Sequence, residues 1–429
     1  MRRRPAALQV SGGTAFTPSI PARSERNPTL QSSPLERGGP PPHLARKVKV
    51  RSPRDRLASA LTNCYVSDTH NHTGRDKVTS KERFTCMYDH READRIPIQC
   101  GPWGATIERW QREGMPKDVS FVDYFELDHV AGINANNSPR FECRTIEETE
   151  EYRTYTTEWG ATLKNWKHAA STPEFMDFTI VGRKSWEMAK ERMTPTRDRV
   201  NWDHLAENYP KWVEAGRWIQ AGLWFGFDIT HSWVVGTERL LIALLEDPDW
   251  CKDMFSHELE LHLALLDMIW DEGYEFDAVC WPDDMGYKGT QFFSLDMYRE
   301  ISKPFHKRAI DWAHEKGVKV QLHSCGNINP FIPEFVEIGL DGLNPLEVKA
   351  GMDPVQVKKD YGDKLLLRGG INAVLWDKPD EIKAEMERVI PFLKESGGYV
   401  FSSDHSVPSA VSLEDFRGIV ELAKELGTY

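Results

Sequence analysis

The sequence predicts an α/β fold: a single (β/α)8 barrel of the TIM type, with a small antiparallel hairpin excursion and a disordered N-terminal tail. Short apolar strands alternate with helical patterns along residues 76–429. Roughly seven or eight such units fit one body of this length, with a doubly wound open sheet as the alternative. No GxGxxG, GxxxxGK[ST] or GxSxG motif follows a strand, which disfavours nucleotide-binding and hydrolase folds.

The first 75 residues differ from the rest in composition. They are rich in Pro, Ser and Arg, lack Trp, and carry thirteen Lys and Arg against four Asp and Glu. Such a segment cannot bury a core, so residues 1–75 are predicted to be a disordered basic tail. An organelle transit peptide is the alternative. The barrel is predicted over 76–429. The whole chain has a formal net charge of −12 and the tail contributes +9, so the barrel region has a net charge of −21. This acidic body disfavours nucleic acid as a partner.

The cysteines and the hydropathy indicate the compartment. Seven cysteines are scattered along the chain without a CxxC pair, which favours a reducing, cytoplasmic location over a disulfide framework. No apolar run has the length of a membrane span, so no membrane partner is predicted.

The elements of the barrel are predicted in order along the chain. Ser80 is expected to cap the first helix, and 95–99 to form the first barrel strand. The alternating stretch 150–166, rich in Thr and aromatic residues, predicts an antiparallel hairpin that turns near Gly160. Later strands, with helices between them, are predicted at 218–223, 276–281, 318–323, 364–367 and 399–402.

Polar side chains follow the later strands of the predicted barrel. Because the C-terminal ends of parallel strands meet at one face, these side chains are expected to share one site. The groups are Asp283 and Asp284, His323 and Cys325, Asn344 and Glu347, Arg368 and Asn372, and Asp404 and His405.

The pair His323 and Cys325 predicts a metal site. Zinc suits a thiolate with a neutral imidazole, and a catalytic zinc keeps one position open. Glu347, Asp404 and His405 are candidates for the third ligand. The alternative is that His323 makes a hydrogen bond across the barrel mouth while Cys325 is an inert turn residue.

The remaining strand-end groups predict catalysis and substrate binding. Asp283 and Asp284 can bind a cation, take a proton or hold the pyrrole N–H groups of a tetrapyrrole, unless one caps a helix and the other faces water. Arg368 can clamp a carboxylate or phosphate, or form a structural ion pair. Trp224 lies in a Trp-rich stretch that walls a cavity or packs in the core. The catalytic candidates are thus Asp283, Asp284 and Arg368, and the substrate-binding candidates are Trp224, Asn344 and Asn372. The helical residues His257, His262, His306 and His314 are given no role.

Together these strand ends resemble the uroporphyrinogen decarboxylase superfamily over residues 76–429. The matching stretches are residues 94–97 (DRIP), 282–286 (PDDMG), 323–328 (HSCGNI), 339–347 (GLDGLNPLE), 367–372 (LRGGIN) and 398–408 (GYVFSSDHSVP). The resemblance implies a single barrel and one of two chemistries. The decarboxylases of the superfamily act on uroporphyrinogen III in porphyrin and heme biosynthesis without a cofactor, typically as homodimers. The other branch comprises zinc-dependent methyltransferases that take a methyl group from a corrinoid protein.

Two departures decide between the branches. The decarboxylases carry an arginine-containing fingerprint after the first strand, whereas residues 99–106 here contain no arginine. The methyltransferases use a third cysteine near the last strand, where Ser402 or Ser403 stands here, so either Glu347 or His405 replaces it or the zinc site is degenerate. The resemblance therefore implies zinc, a corrinoid-protein partner and methyl transfer to a small acceptor. Uroporphyrinogen decarboxylation, or a non-catalytic barrel that binds a corrinoid or tetrapyrrole, remain the alternatives.

Overall fold

The computed structural model describes residues 78–168 and 172–429, so the predicted tail over 1–75 lies outside the described residues. The described residues form a mixed α/β structure. Its centre is a curled sheet of seven parallel strands, and a four-stranded antiparallel sheet and a two-stranded ribbon accompany it. The α/β class predicted from the sequence is confirmed.

The strands are numbered in chain order. They are β1 (Val130–Ile133), β2 (Thr145–Glu148), β3 (Tyr152–Thr156), β4 (Ala161–Trp166), β5 (Glu174–Phe178), β6 (Trp218–Gly222), β7 (Ala278–Pro282), β8 (Gly286–Tyr287), β9 (Thr290–Gln291), β10 (Lys319–His323), β11 (Gly342–Asn344), β12 (Leu366–Arg368) and β13 (Tyr399–Val400).

The helices follow the same numbering. They are α1 (Ser80–Tyr88), α2 (Gly104–Arg112), α3 (Phe121–Tyr124), α4 (Arg183–Lys190), α5 (Trp202–Glu214), α6 (Phe227–Ile229), α7 (Thr237–Glu246), α8 (Pro248–Asp271), α9 (Leu295–Met297), α10 (Lys303–Glu315), α11 (Ile332–Glu337), α12 (Pro354–Tyr361), α13 (Pro379–Leu393) and α14 (Leu413–Gly427). Wider helical turns, Thr230–Val234 and Tyr298–Ser302, extend α6 and α9.

The parallel sheet has the order β1-β6-β7-β10-β11-β12-β13. From β6 onward, each strand pairs with the next parallel strand along the chain, as expected when helices make the crossovers. The strands are short and buried because helices cover the outer face of the sheet. All seven run in the same direction, so their C-terminal ends lie on one side.

Residues 95–99 were predicted as the first barrel strand, and the structure gives them a less regular form. Ile98 makes a single parallel bridge with Phe401, one residue after β13. The Ile98 carbonyl also accepts a hydrogen bond from the Asp128 backbone N–H at 3.1 Å, two residues before β1. The segment therefore makes hydrogen bonds next to both end strands of the sheet without forming a ladder of its own.

A buried carboxylate holds this segment in place. Asp128 accepts hydrogen bonds from the Ile98 backbone N–H at 2.8 Å and from Arg95 Nη1 at 2.7 Å. Its other oxygen accepts from Arg83 Nη1 at 2.9 Å, and Arg83 also pairs with Asp94. Because Asp128 is fully satisfied by charged partners, its burial is compensated. The Asp-Arg-Ile-Pro stretch at 94–97 thus has a structural role.

The predicted hairpin is confirmed as β3 and β4, with Gly160 at φ +94° before β4. The structure adds β2 and β5 on either side, giving a four-stranded antiparallel sheet. The sequence did not predict these two outer strands. All four residues of β2 are exposed and β5 is exposed over most of its length, so neither shows the alternation of a half-buried strand.

The N-terminal helix begins one residue earlier than predicted. Thr79, not Ser80, is the N-cap, because its side chain accepts a hydrogen bond from the Glu82 backbone N–H while Glu82 bonds back to Thr79. The core against which the helices pack includes the fully buried side chains of Trp110, Trp186, Trp281 and Trp376. Across residues 78–168 and 172–429, we find no helix that combines the length and the apolar character needed to cross a bilayer.

Candidate functional site

The register of the parallel sheet places three strand ends side by side. His323 at the end of β10 pairs with Pro282 at the end of β7 and with Asn344 at the end of β11. The residues that follow these strands, including Asp284 and Cys325, therefore meet at the same edge. This is the arrangement that the sequence predicts for the C-terminal face of parallel strands.

Asp284, His323 and Cys325 form a compact group of possible metal ligands. Their donor atoms all lie within 4.8 Å of one another, and no other such group of three occurs in the described parts of the chain. Cys325 Sγ is 3.3 Å from His323 Nε2, which is 3.6 Å from Asp284 Oδ1. The Cys325 backbone N–H also donates to Asp284 Oδ1 at 2.7 Å. The two predicted ligands are thus joined by a residue that had been predicted to be catalytic.

These distances fit a tetrahedral zinc ion. With bonds of about 2.0 to 2.3 Å, neighbouring donors around zinc stand about 3.3 to 3.7 Å apart. The donor set is one thiol, one imidazole and one carboxylate, and three protein ligands leave a fourth position for a small molecule. The residues present therefore fit the metal that the family resemblance implies.

Asn344 orients the imidazole of His323. Its side-chain Nδ2 is 2.9 Å from His323 Nδ1, and its own Oδ1 is buried without a partner. The side-chain amide of Asn344 can place either its nitrogen or its oxygen next to the ring, because the NH₂ and C=O groups have nearly the same shape. With Oδ1 facing the ring, Nδ1 carries the proton and Nε2 presents its lone pair to the other two donors. Metal-bound histidines in proteins are oriented by such a second hydrogen bond.

Burial shifts the ionisable groups of this site toward their uncharged forms. Burial, followed by the nearby Asp228 carboxylate, raises the pKa of Asp284 well above its usual value. Burial and the charges of Asp284 and Glu347 likewise raise the pKa of the Cys325 thiol. Burial and the neighbouring Arg368 lower the pKa of His323 to about 4. A bound divalent cation would oppose the first two effects, because it stabilises the thiolate and the carboxylate.

The loop that carries Cys325 crosses another backbone at close range. Gly326 has φ +82°, and a Cβ atom there would lie 2.1 Å from the carbonyl carbon of Gly286. Gly286 in turn has no room for a side chain, since a Cβ would lie 2.9 Å from Asn327 backbone atoms. Two glycines thus allow the loops after β7 and β10 to touch, which brings Asp284 to Cys325.

The other predicted ligands do not belong to the donor group. Glu347 accepts a hydrogen bond from the Gly326 backbone N–H at 2.6 Å and pairs with Lys349. Asp404 accepts from the backbone N–H groups of Val348 and Ala373, and burial raises its pKa to about 6. The ring of His405 lies 6.0 Å from that of Trp103. The two carboxylates thus support the loops around the donor group.

Asp283 has a different environment from Asp284. It is fully buried, and its Oδ1 accepts from the Asp228 backbone N–H at 2.8 Å. Its Oδ2 is 2.8 Å from His306 Nε2, and His306 Nδ1 is 3.1 Å from the hydroxyl of Tyr298. Both oxygens of Asp283 are therefore engaged within the protein, and only Asp284 of the pair reaches the donor group.

Sequence reasoning missed His306, which was given no role. In α10 this residue lies on the same face as the buried Ala309, Ile310 and Ala313. Spacings of three, four and seven residues are those of one helix face, so the pattern could have marked His306 as facing the core. It could not have identified Asp283 as the partner, because the two residues are 23 positions apart in sequence.

Arg368 lies near His323 and has few partners. Its Nη1 is 3.5 Å from Gln321 Oε1, which is a weak contact, and its Nε is buried without a hydrogen bond. Burial lowers the pKa of the guanidinium, although an arginine keeps its proton at neutral pH. In the described ranges, no carboxylate forms a salt bridge with it. Its charge is therefore not compensated in the way that the charge of Arg83 is.

The predicted substrate-binding residues differ in position. The Asn372 side chain accepts from the Val374 backbone N–H at 3.1 Å and so caps the turn Ala373–Leu375. Asn344 holds His323, as described above. Trp224 lines a cavity of about 910 Å³ that also reaches Asp284. Of the three residues, Trp224 is therefore the one that the structure places at the wall of this cavity.

The cavity lies between the antiparallel sheet and the loop after β6. Part of the lining comes from β5, and part from the turn Thr230–Val234, the start of α7 and Phe292. The sheet is held against that turn, because Phe175 packs edge-to-face on Trp233 with ring centroids 5.7 Å apart. Asp284 lines the same space, so the cavity connects with the donor group.

The fold and the site thus define an α/β protein with a candidate metal centre at the C-terminal ends of a curled parallel sheet. A family model described as Uroporphyrinogen decarboxylase (URO-D) matches residues 230–426. A solved structure, a methyltransferase from Methanosarcina mazei, superposes with a TM-score of 0.57 at 16% identity. The superposition covers 81% of this chain and 99% of that protein. At this identity the likeness shows the fold.

Curated relatives match a shorter stretch. A uroporphyrinogen decarboxylase from Pelodictyon phaeoclathratiforme is 26% identical over 140 residues, which are 31% of this chain and 38% of the relative. One from Chloroherpeton thalassium is 21% identical over 154 residues, covering 33% and 43%. The chain therefore spans less than half the length of the curated relatives it matches. Residues 230–426 match the URO-D family model, and the fold and the curated relatives are consistent with that superfamily.

Proposed function

We propose that this protein is a zinc-assisted methyltransferase that moves a methyl group between a corrinoid protein and a small acceptor. The observation that carries the proposal is the group formed by Asp284, His323 and Cys325, whose donor atoms stand at distances that fit zinc. The barrel-like fold shared with a methyltransferase supports it. We also infer that residues 95–99 act as the eighth strand and close the sheet into a barrel.

In this proposal the residues around the donor group have distinct tasks. His323, Cys325 and Asp284 would hold the zinc ion, and Asn344 would keep His323 Nε2 directed toward it. Zinc would supply a Lewis acid that stabilises the deprotonated acceptor at neutral pH. Asp283 and His306 fix the loop around Asp228, and Glu347 fixes the Gly326 backbone N–H, so both serve as supports.

Metal content tests the proposal directly. The full chain, purified without chelators, is expected to contain about one zinc ion per molecule by plasma mass spectrometry. Removing it with a chelator should stop methyl transfer from methylcobalamin to the acceptor, and adding zinc back should restore it. Zinc-free protein that binds a corrinoid or tetrapyrrole without turnover would instead indicate a binding protein.

Uroporphyrinogen III decarboxylation is the second candidate. It is favoured by the name that the curated relatives carry and by the Asp283–Asp284 pair. Two features weigh against it: residues 99–106 lack arginine, and both oxygens of Asp283 are engaged. Release of CO₂ from uroporphyrinogen III that persists with chelators and disappears in Asp284→Ala would establish this activity and contradict the methyltransferase proposal.

Arg368 allows a prediction that separates a functional charge from a structural one. Arg368→Met should raise the free energy of unfolding by about 1 kcal/mol, because it removes a charge without a counter-ion. The rate of methyl transfer from methylcobalamin should fall in the same variant, because the positive charge next to His323 is lost. Chemical denaturation of the full chain measures the first effect, and initial rates measure the second.

Arg83→Met is the matched control, because Arg83 pairs with both Asp94 and Asp128. Losing that buried pairing should cost about 3 to 5 kcal/mol. A comparable loss of stability in Arg368→Met would identify Arg368 as a structural residue and contradict its predicted role in catalysis.

A further inference from the structure

The cavity beside the donor group has the size of a small-molecule site. Its volume is about 910 Å³, within the range of about 300 to 1,000 Å³ that ligand sites usually occupy. It is lined by the antiparallel sheet and by the segment after β6. The antiparallel sheet therefore contributes to this cavity, because β5 forms part of its lining.

Aromatic rings form much of the wall. Phe175 and Trp233 pack against each other with ring centroids 5.7 Å apart, and Trp224 and Phe292 also line the cavity. Phe175 is 38% exposed, which is high for a residue whose ring already packs on Trp233. The faces of aromatic rings carry partial negative charge and attract cations, most strongly from tryptophan.

The charged side chains around the cavity are mainly acidic. Arg239 is the one lysine or arginine among the lining residues, and its guanidinium donates to the Val235 carbonyl. Clefts lined by charges of one sign attract ligands of the opposite sign. Besides the proposed metal ligand Asp284, the lining carboxylates are Glu174, Asp177, Asp228 and Glu238.

We propose that this cavity binds a small ammonium cation that carries alkyl groups, such as a quaternary ammonium compound. An anion would be repelled by the carboxylates, and a neutral molecule would gain nothing from them. An alkylated cation interacts with the ring faces through its positive charge and with the apolar walls through its methyl groups. The inference concerns binding alone and does not rest on the proposed function, because a quaternary ammonium nitrogen has no lone pair with which to accept a methyl group.

Calorimetric titration of the full chain with tetramethylammonium chloride tests the site. Neopentyl alcohol, which has a similar shape and no charge, is the matched ligand. Tetramethylammonium should bind about ten times more tightly, corresponding to about 1.4 kcal/mol of cation–π and Coulomb attraction. Its affinity should fall as the sodium chloride concentration rises. Equal affinity for the two ligands, or tighter binding of acetate, would overturn the proposal.

Variants locate the binding within the cavity. Phe175→Leu and Trp233→Leu keep an apolar side chain but remove a ring face, so each should weaken tetramethylammonium binding several-fold while leaving neopentyl alcohol unchanged. Trp166→Leu is the control, because Trp166 is partly exposed on the same sheet but packs on Tyr152 instead of lining the cavity. If Trp166→Leu weakens binding as much as Trp233→Leu, the proposed location is wrong.

A last comparison separates this inference from the proposed function. Cys325 does not line the cavity, so Cys325→Ala should retain tetramethylammonium binding even where it loses zinc. Protein that contains zinc but does not distinguish tetramethylammonium from neopentyl alcohol would contradict the cation site alone. Zinc-free protein that binds the cation would contradict the methyltransferase proposal alone.

Discussion

Replacing Cys325 by alanine is expected to remove bound zinc and methyl transfer together. Cys325 provides the one thiol of the donor group, and its Sγ is 3.3 Å from His323 Nε2. Loss of a residue that only supports a ligand typically costs tenfold to a hundredfold in metal affinity or activity, so loss of a ligand should cost more than about a hundredfold. Plasma mass spectrometry and a methylcobalamin assay on the same preparation measure both effects.

Cys251→Ala is the control for this variant. Cys251 is also buried, but it lies in α8 and is not part of the donor group. It should keep both zinc and activity, with only a small loss of stability from the missing sulfur atom. A Cys325→Ala protein that still holds one zinc ion per chain would show that the ion is bound elsewhere.

Replacing Gly326 by alanine is expected to produce the largest loss of stability. The new methyl group would lie 2.1 Å from the carbonyl carbon of Gly286, and backbone atoms cannot turn aside as a side chain can. The loops after β7 and β10 would have to separate, which would also move Asp284 away from Cys325. We expect a loss of about 4 kcal/mol or more in the free energy of unfolding, measured by urea denaturation.

Gly289→Ala separates the clash from backbone strain. Gly289 has φ +86°, close to the +82° of Gly326, but nothing lies within 4 Å of its would-be Cβ. Its substitution should therefore lower the free energy of unfolding by only about 1 to 2 kcal/mol, because an alanine is strained in the left-handed conformation. If both variants lose the same stability, the contact between Gly326 and Gly286 does not hold the loops together.

The neighbourhood of the site could be predicted from the sequence because it depends on a general property of parallel strands. Strands that run in one direction bring their C-terminal ends to one edge, so His323, Cys325 and Asp284 were all expected there. The metal and catalytic roles assigned to these residues stay predictions. What the structure adds is that Asp284, and not Glu347 or His405, is the third donor beside the pair.

The third donor could not be predicted, because it depends on how the loops turn after each strand. Glu347 was a reasonable candidate, but the Gly326 backbone N–H takes up its Oε2 atom. Asp284 reaches Cys325 because Gly286 and Gly326 let two backbones touch. Such contacts join residues about forty positions apart, so they cannot be predicted from a local pattern of hydropathy.

The outer strands of the antiparallel sheet were missed for a related reason. β2 and β5 are largely exposed on both faces. Their sequences therefore lack the alternation of apolar and polar residues that marks a half-buried strand. β3 and β4 were found because β4 alternates between buried and partly exposed residues next to a turn at Gly160. The wall of the cavity was therefore predicted only in part.

The position of this sheet has a consequence for how such a protein can be redesigned or can diverge. Residues 145–178 are inserted between β1 and β6, and none of the three donor residues belongs to them. Exchanging this insertion for a different one would alter the shape and charge of the cavity while leaving Asp284, His323 and Cys325 in their original frame. Residues 145–178 thus supply part of the cavity lining, whereas the donor group comes from the loops after β7 and β10, so the two can be altered separately.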